Sequence, residues 1–410
     1  MTDFRRFLPP LTRARAPATA LLAAAVAAGC ATGPLPPQEL PAISAPPQWL
    51  RTVDPLPHEG SRAELVRWWA PFDDPLLADL VARSQAVSPT LGTAAARIEQ
   101  ARASRTVAAA AGLPAVDAPA GATRGRADLL SPTGTSLSAG LQTGWEIDLF
   151  GGIRAGTLAA DARLQASQAD WHEARVSVAA ETATTYLQLR ACEAQLAITE
   201  QDATSRAETS RLTELTAQAG LASPATASLS RASAAQGRAT ALQQRANCEQ
   251  LSLALAALTG TDTTKLRQEL ASATARLPVP ARLAVTTVPA EVLAQRPDLY
   301  SAAREVLASA YDTAQADAQT KPRVTLSGNV NAVRLQAGGD SVSGSTWAIG
   351  PLAVSLPIFD AGARAAQVEA ARARYDAAVS LYQARLRAAV LASCDRLSST
   401  SRTASRKRAW

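Results

Sequence analysis

A chain of 410 residues that is 47% hydrophobic but only 4% aromatic has enough apolar content for one or more cores, supplied largely by alanine, the best helix former. Its formal charge of +6 sits at the ends: residues 1–29 carry +3, residues 395–410 carry +4 and residues 30–394 carry −1. A neutral body excludes the basic footprint of a nucleic-acid-binding protein. Two isolated histidines, His58 and His172, and four cysteines without a C-x-x-C motif define no metal site, cofactor site or catalytic constellation.

In chain order, a basic start is followed by ALLAAAVAAGC, residues 20–30. A positive region, a short apolar stretch and small residues before a cysteine make up a secretory signal over residues 1–29, too short to span a bilayer. Ala27, Ala28 and Gly29 before Cys30 look like a bacterial lipobox, which makes Cys30 a lipidated N-terminus; an ordinary secreted protein with a stray cysteine is the alternative. Residues 30–61 are proline-rich and are expected to form an extended tether.

Residues 62–112 are predicted helical, with a break at Pro71 and Pro75, a second helix opening at Ser88-Pro89 and a stop before Pro114. Two strands are predicted at about 115–127 and 137–150, separated by Ser131–Gly134. Residues 153–218 contain no proline, and Leu164, Trp171 and Val178 recur every seven residues, a register that continues to Thr185 and Cys192. A helix of that length, roughly 95 Å at 1.5 Å per residue, needs a coiled-coil partner, and residues 225–259 supply it after a turn at Gly220–Pro224, making a hairpin over 153–259.

The pattern then recurs. After a linker at 261–295, residues 296–330 repeat the helix-then-strand order of 88–122, and 345–378 mirror 138–171. Phe359 answers Phe150, Asp360, Ala361 and Gly362 answer Gly151 and Gly152, and Arg364 answers Arg154. The second copy is predicted to place strands at about 322–334 and 346–359.

GWEIDLFGGIRAG, residues 144–156, has the glycine spacing of a phosphate loop, but Thr157 stands where the lysine is required, and its second copy lacks most of the glycines. The stretch is better explained as a mechanical joint between strand and helix, where glycine supplies backbone freedom. Trp145 and Trp347 fit interfacial aromatics of a membrane barrel; buried aromatics of a soluble core are the alternative. Cys192 and Cys248 each lie 28 residues from Gly220, level with one another on antiparallel helices, as a disulfide or as two small buried thiols.

Six stretches together resemble the outer-membrane efflux proteins of the TolC/OprM type, in the NodT-like lipoprotein branch of tripartite RND efflux systems. They are WWAPFDDPLLADLV (68–81), SPTLGTAAARIEQARA (88–103), residues 144–156, AGLASPATASLSRA (219–232), PAEVLAQRPDL (289–299) and LPIFDAGARAA (356–366). The resemblance covers Cys30 to about residue 390. It implies a membrane β-barrel plus a long α-helical coiled-coil tunnel, built from two internal repeats of helix, two strands and long helices, as a homotrimer sharing one barrel. It also implies an outer-membrane location with a periplasmic helical portion, and partnership with outer-membrane lipid, a periplasmic adaptor protein and an inner-membrane pump. The function implied is passive export of drugs or other small molecules, without enzymatic activity or cofactor. The adaptor-docking tip falls on Gly220, Leu221, Ala222 and Ser223; the strand-to-helix joints fall on Phe150, Gly151, Gly152, Phe359 and Gly362.

Residues 391–410, rich in serine and arginine, are expected to depart from the family as an anomalous tail left by a frameshift or truncation near residue 390, leaving the second hairpin without a return arm and without the acidic gate residues of the family. Three alternatives follow: a structural coiled-coil lipoprotein, a periplasmic adaptor, or a non-functional shortened efflux protein.

Overall fold

The computed structural model describes residues 69–126, 132–279 and 296–407. The signal at 1–29, Cys30, the tether at 30–61 and residues 280–295 of the linker lie outside the described residues. The chain divides into two compact units. One, the sheet unit, comprises residues 99–166 and 301–387; the other, the hairpin unit, includes residues 167–300 with flanking segments from 44–98 and 388–410. Among the described residues no helix is long and apolar enough to cross a membrane.

The elements in order are α1 (Pro75–Val87), α2 (Pro89–Ala110), β1 (Ala115–Asp117), β2 (Ala120–Gly125), β3 (Gly134–Ile147), α3 (Gly152–Gln218), α4 (Pro224–Thr259), α5 (Thr263–Ala271), α6 (Pro297–Ala318), β4 (Arg323–Ala337), β5 (Asp340–Ser355) and α7 (Ala363–Lys407). Two features differ from the sequence expectation. The strand predicted at 115–127 is broken at Ala118 and Pro119, because proline cannot donate to a ladder. The tail at 391–410, expected to be anomalous, continues the helix to Lys407: no glycine or proline stands between Ala363 and Lys407, so nothing interrupts the backbone ladder.

In the sheet unit, β1 and β2 both pair with β3, β3 with β4 and β4 with β5, all antiparallel. Gly338 and Gly339, both at positive φ, close the β4–β5 hairpin, which is why β5 starts at Asp340 and not near residue 346. The register sorts the side chains into two faces. One carries Val116, Ala122, Leu137, Ala139, Leu141, Trp145, Val324, Leu326, Val330, Trp347, Ile349, Leu352 and Val354 by their pairing. The other carries Ser136, Ser138, Gln142, Glu146, Thr325, Ser327, Asn329, Asn331 and Thr346, together with Val333, Leu335, Val342 and Ala348. A bulge at Gly350-Pro351 keeps this sorting intact. Leu326 opposes Leu352 but Gly328 opposes Ile349, so the extra residue restores Ile349 and Trp347 to the face of Leu352 and Val354. The apolar face is open to its surroundings: Trp347 is 71% exposed and Ile349 86%. Trp145 lies near the helix end of the sheet, but Trp347, opposite Val330, lies midway along it and so is no edge residue.

Behind the sheet, Arg105 of α2 meets Asp161 of α3 at 2.7 Å, and Arg163 of α3 pairs with Asp312 of α6. Ala302 and Val306 of α6 bury against Tyr382 of α7. The buried stripe of α3 here is Ala155, Ala159, Ala162 and Ala166, at helical three- and four-residue spacing. Leu164 and Trp171, from which the sequence register was drawn, are only half-buried. A stripe of alanine is invisible to a search for large apolar residues.

In the hairpin unit, Leu77, Leu80 and Val81 of α1, Ala179, Ala183, Tyr186 and Leu189 of α3, Leu255 of α4, and Leu266 and Leu270 of α5 make one core. Fully burying each leucine is worth roughly 1.5–3 kcal/mol. Gly260, at φ 61°, ends α4 and Asp262 caps α5 through the N–H groups of Thr264 and Lys265.

Candidate functional site

Three local constructions bear on function: two strand-to-helix joints, the tip of the α3–α4 hairpin, and the cross-link behind that tip. At the first joint β3 ends at Ile147 and the chain turns through Phe150 and Gly151, at φ 73°. Asp148 accepts from the N–H of Ile153 at 3.2 Å and of Arg154 at 2.8 Å. A Cβ on Gly152 would stand 2.9 Å from Ala318 Cβ, so glycine is required for close approach of α3 to α6. At the second joint Asp360 accepts from the N–H of Gly362 at 3.0 Å and of Arg364 at 3.2 Å, with Gly362 at φ 84°. In the sequence Asp148 is passed over and Asp360 is matched to the glycines of the first joint, although an aspartate just before a helix is a capping signal. Their carboxylates already take up N–H groups that a phosphate at these helix starts would need. The two joints are alike in capping but unlike in packing, since Phe150 is half-buried and Phe359 is 88% exposed. Replacing either aspartate with alanine is expected to cost about 1 kcal/mol, read as a lowered melting temperature of the purified protein.

At the tip, α3 ends through Gly220, at φ 76°, with the N–H of Leu221 bonded to Thr216 O at 2.9 Å and that of Gly220 to Ala217 O at 3.0 Å. That pair of bonds is a Schellman motif. Ser223 then caps α4, its Oγ accepting from Thr226 N at 3.2 Å, and Pro224 takes the first helical position. Only the backbone of Leu221 serves this turn; the residue is 82% exposed.

Behind the tip the seam of α4 buries Ala227, Ala234, Ala241, Cys248 and Leu255, one residue every seven, the spacing of a coiled coil. Gly237 packs on Ala203 and Arg206 of α3, and Arg245 pairs with Glu200 at 2.5 Å. Small side chains let the helices close in, and Cys192 and Cys248 are bonded with their Cα atoms 5.6 Å apart. At 1.5 Å per residue the cross-link is about 42 Å from the tip.

The core beneath α1 holds a polar chain. Asp74 caps α1 through the N–H groups of Leu76 and Leu77 and accepts from the Tyr186 hydroxyl at 2.6 Å. The Arg190 guanidinium lies 5.0 Å over the Tyr186 ring, fully buried, donating to Glu193 at 2.8 Å and to Leu270 O at 3.1 Å. Burial, and then the bond to Asp74, push the Tyr186 phenol up to about 12. A phenol raised above its unfolded value near ~10 contributes stability that is complete below that pH and is lost as pH rises through about 12. Among the five tyrosines, Tyr186 is expected to ionise late in an alkaline absorbance titration, and Tyr186→Phe to remove that late step.

The family model described as outer membrane efflux protein matches residues 80–261 and 288–410. The match therefore runs past residue 390, where the sequence resemblance was expected to stop. Solvent efflux pump outer membrane protein SrpC of Pseudomonas putida is 29% identical over 323 residues, 76% of this chain and 67% of that protein. Nodulation protein T of Rhizobium leguminosarum bv. trifolii is 26% identical over 363 residues, 84% of this chain and 73% of that protein. The solved outer-membrane channel OprN is similar with a TM-score of 0.74 and 29% identity, over 85% of this chain and 81% of that one. With the family model covering most of its length, the chain belongs to the outer membrane efflux protein family.

Proposed function

We propose that the chain is the outer-membrane channel of a tripartite efflux system, a passive conduit for drugs or other small molecules leaving the periplasm. In this reading three protomers share one barrel, to which each gives four strands (β1 and β2 counting as one), and the long helices line a periplasmic tunnel. Each protomer consists of two repeats of helix, two strands and long helices, and Cys30 carries a lipid anchor. The observation that carries the reading is the two-faced sheet: an exposed apolar face backed by a face on which serine, asparagine, glutamine and threonine predominate, with Val333, Leu335 and Val342 only toward the hairpin-turn end, the sorting that a barrel wall between lipid and a watery lumen requires. Along β3 that apolar face runs from Ile147 to Leu137, ~34 Å of strand, or roughly 25 Å across a bilayer at a tilt near 40°.

The hairpin tip, Gly220–Ser223, receives the periplasmic adaptor that couples the channel to an inner-membrane pump. Leu221 supports this role because it is exposed and the turn uses only its backbone N–H. The test is Leu221→Glu in cells that depend on this channel for drug resistance. The expected outcome is resistance lowered at least about tenfold, with trimer levels in the outer membrane unchanged; full resistance would contradict docking at this tip.

A further inference from the structure

We propose that the hairpin-turn end of the sheet binds the phosphate groups of acylated, phosphorylated lipid in the outer leaflet, through Arg124, Arg126 and Arg334. The inference rests on the barrel reading above, which makes the apolar face the lipid-facing one. The end of β2 at Gly125, the start of β3 at Gly134 and the turn at Gly338-Gly339 all lie at the end away from the helices. With the helices in the periplasm, that end reaches the outer leaflet.

The register places the charges. Arg334 pairs with Leu137, the last leucine of the apolar face on β3, and shares that face. Arg124 pairs with Thr135, one step further out on the same face, and exposed Arg126 follows at the end of β2. Arg124 and Arg334 thus flank β3 from its two sides, just where the apolar band stops. All three are exposed, and among the described residues none has an acidic partner. The helix end of the sheet is different: there Arg323 is answered by Glu146 at 3.4 Å and Lys321 by Asp317 at 3.5 Å. Among the described residues the sheet's arginines without an acidic partner all lie at one end.

A shallow depression leads to this charge, its lining including Ala122, Leu137, Ala139, Ala332, Arg334 and Ser343 of the apolar face. An acyl chain fits the alanine floor, and the guanidinium at its edge fits the phosphate that such a chain carries in a lipid headgroup. Arginine on a lipid face is costly at mid-bilayer and nearly free at the interface, and its planar fork binds phosphate oxygens in pairs. Phosphate alone would gain the charge but not the groove, so the lipid is the occupant.

The test uses trimers of the full chain extracted from outer membranes in mild detergent and washed. The retained lipid is quantified by mass spectrometry for the wild type and for the Arg124→Gln/Arg126→Gln/Arg334→Gln variant. Independently of any variant, wild-type melting is followed with an acylated disaccharide bisphosphate lipid, with its dephosphorylated counterpart, and with inorganic phosphate. Each arginine near an anionic surface is worth about fivefold in affinity. The expected result is at least about tenfold less retained phospholipid or phosphoglycolipid in the triple variant, with Arg334→Lys recovering part of the Arg334→Gln loss, and stabilisation by the bisphosphate lipid only. Equal retention by wild type and variant, or equal stabilisation by the dephosphorylated lipid or by inorganic phosphate, would overturn the site while trimers in the outer membrane leave the channel reading standing. Absence of wild-type trimers from the outer membrane would instead overturn the barrel reading and the site with it.

Discussion

Gly140→Val is expected to prevent the sheet from assembling, leaving the chain as misfolded monomer with no trimer in the outer membrane. Gly140 is the tightest point of β3. A Cβ there would sit 2.2 Å from the backbone oxygen of Val330 and 2.7 Å from Asn331 Cα, so β3 and β4 would have to separate. On the other side its N–H donates to Pro119 O at 3.1 Å, at the break between β1 and β2, where proline offers no donor of its own. Overpacking against side chains costs roughly 1–3 kcal/mol; here the obstacle is backbone, so the upper end of that range is the minimum. Gly144, four pairs away on the same strand, has open space where a Cβ would go, and Gly144→Ala is the matched control, expected to change stability by less than about 1 kcal/mol. Native-gel trimer yield for the two variants, side by side, checks this. Equal yields would mean that β3 and β4 do not meet at Gly140.

Loss of the Cys192–Cys248 bond is expected to be the costliest change in the hairpin. The bond closes a loop with a sequence separation of 56, and chain-entropy arithmetic for a loop of that size gives about 4 kcal/mol. The seam of Ala227, Ala234, Ala241 and Leu255 remains without it, so the helices still pair but open more often, and protease cuts between residues 192 and 248 more readily. One bond is one interaction: Cys192→Ser, Cys248→Ser and the double variant are expected to lose stability equally. A double variant that loses twice as much as either single, or alkylation of both cysteines in the unreduced wild-type protein, would refute the cross-link.

What was legible in the sequence was local chemistry and long regular patterns. Gly220 and Ser223-Pro224 end one helix and start another by residue type alone, and the run without proline from 153 to 218 foretells a helix as long as Gly152–Gln218. The cysteine level could be read because an antiparallel hairpin fixes the partner of every residue once its tip is known. What was hidden depends on small residues and on neighbours. Alanine carries the buried stripe of α3, and no hydrophobicity search separates a buried alanine from an exposed one. The capping by Asp148 and Asp360 was overshadowed by the glycines beside them. The bulge at Gly350-Pro351 is set by pairing across to β4, and the clash at Gly140 is set by Asn331 and Val330, nearly two hundred residues away in the chain. Serine and arginine in the tail suggested a departure from the family, but neither residue stops a helix, and the family match runs through it.

The central claim is that this chain builds an outer-membrane channel from three copies. The most direct measurement is separation of inner and outer membranes by density, followed by native mass determination of the extracted protein. The expected result is the chain in the outer-membrane fraction at three times the mass of one mature, lipid-bearing protomer. A monomer, or a chain recovered in the soluble periplasmic fraction, would contradict the account.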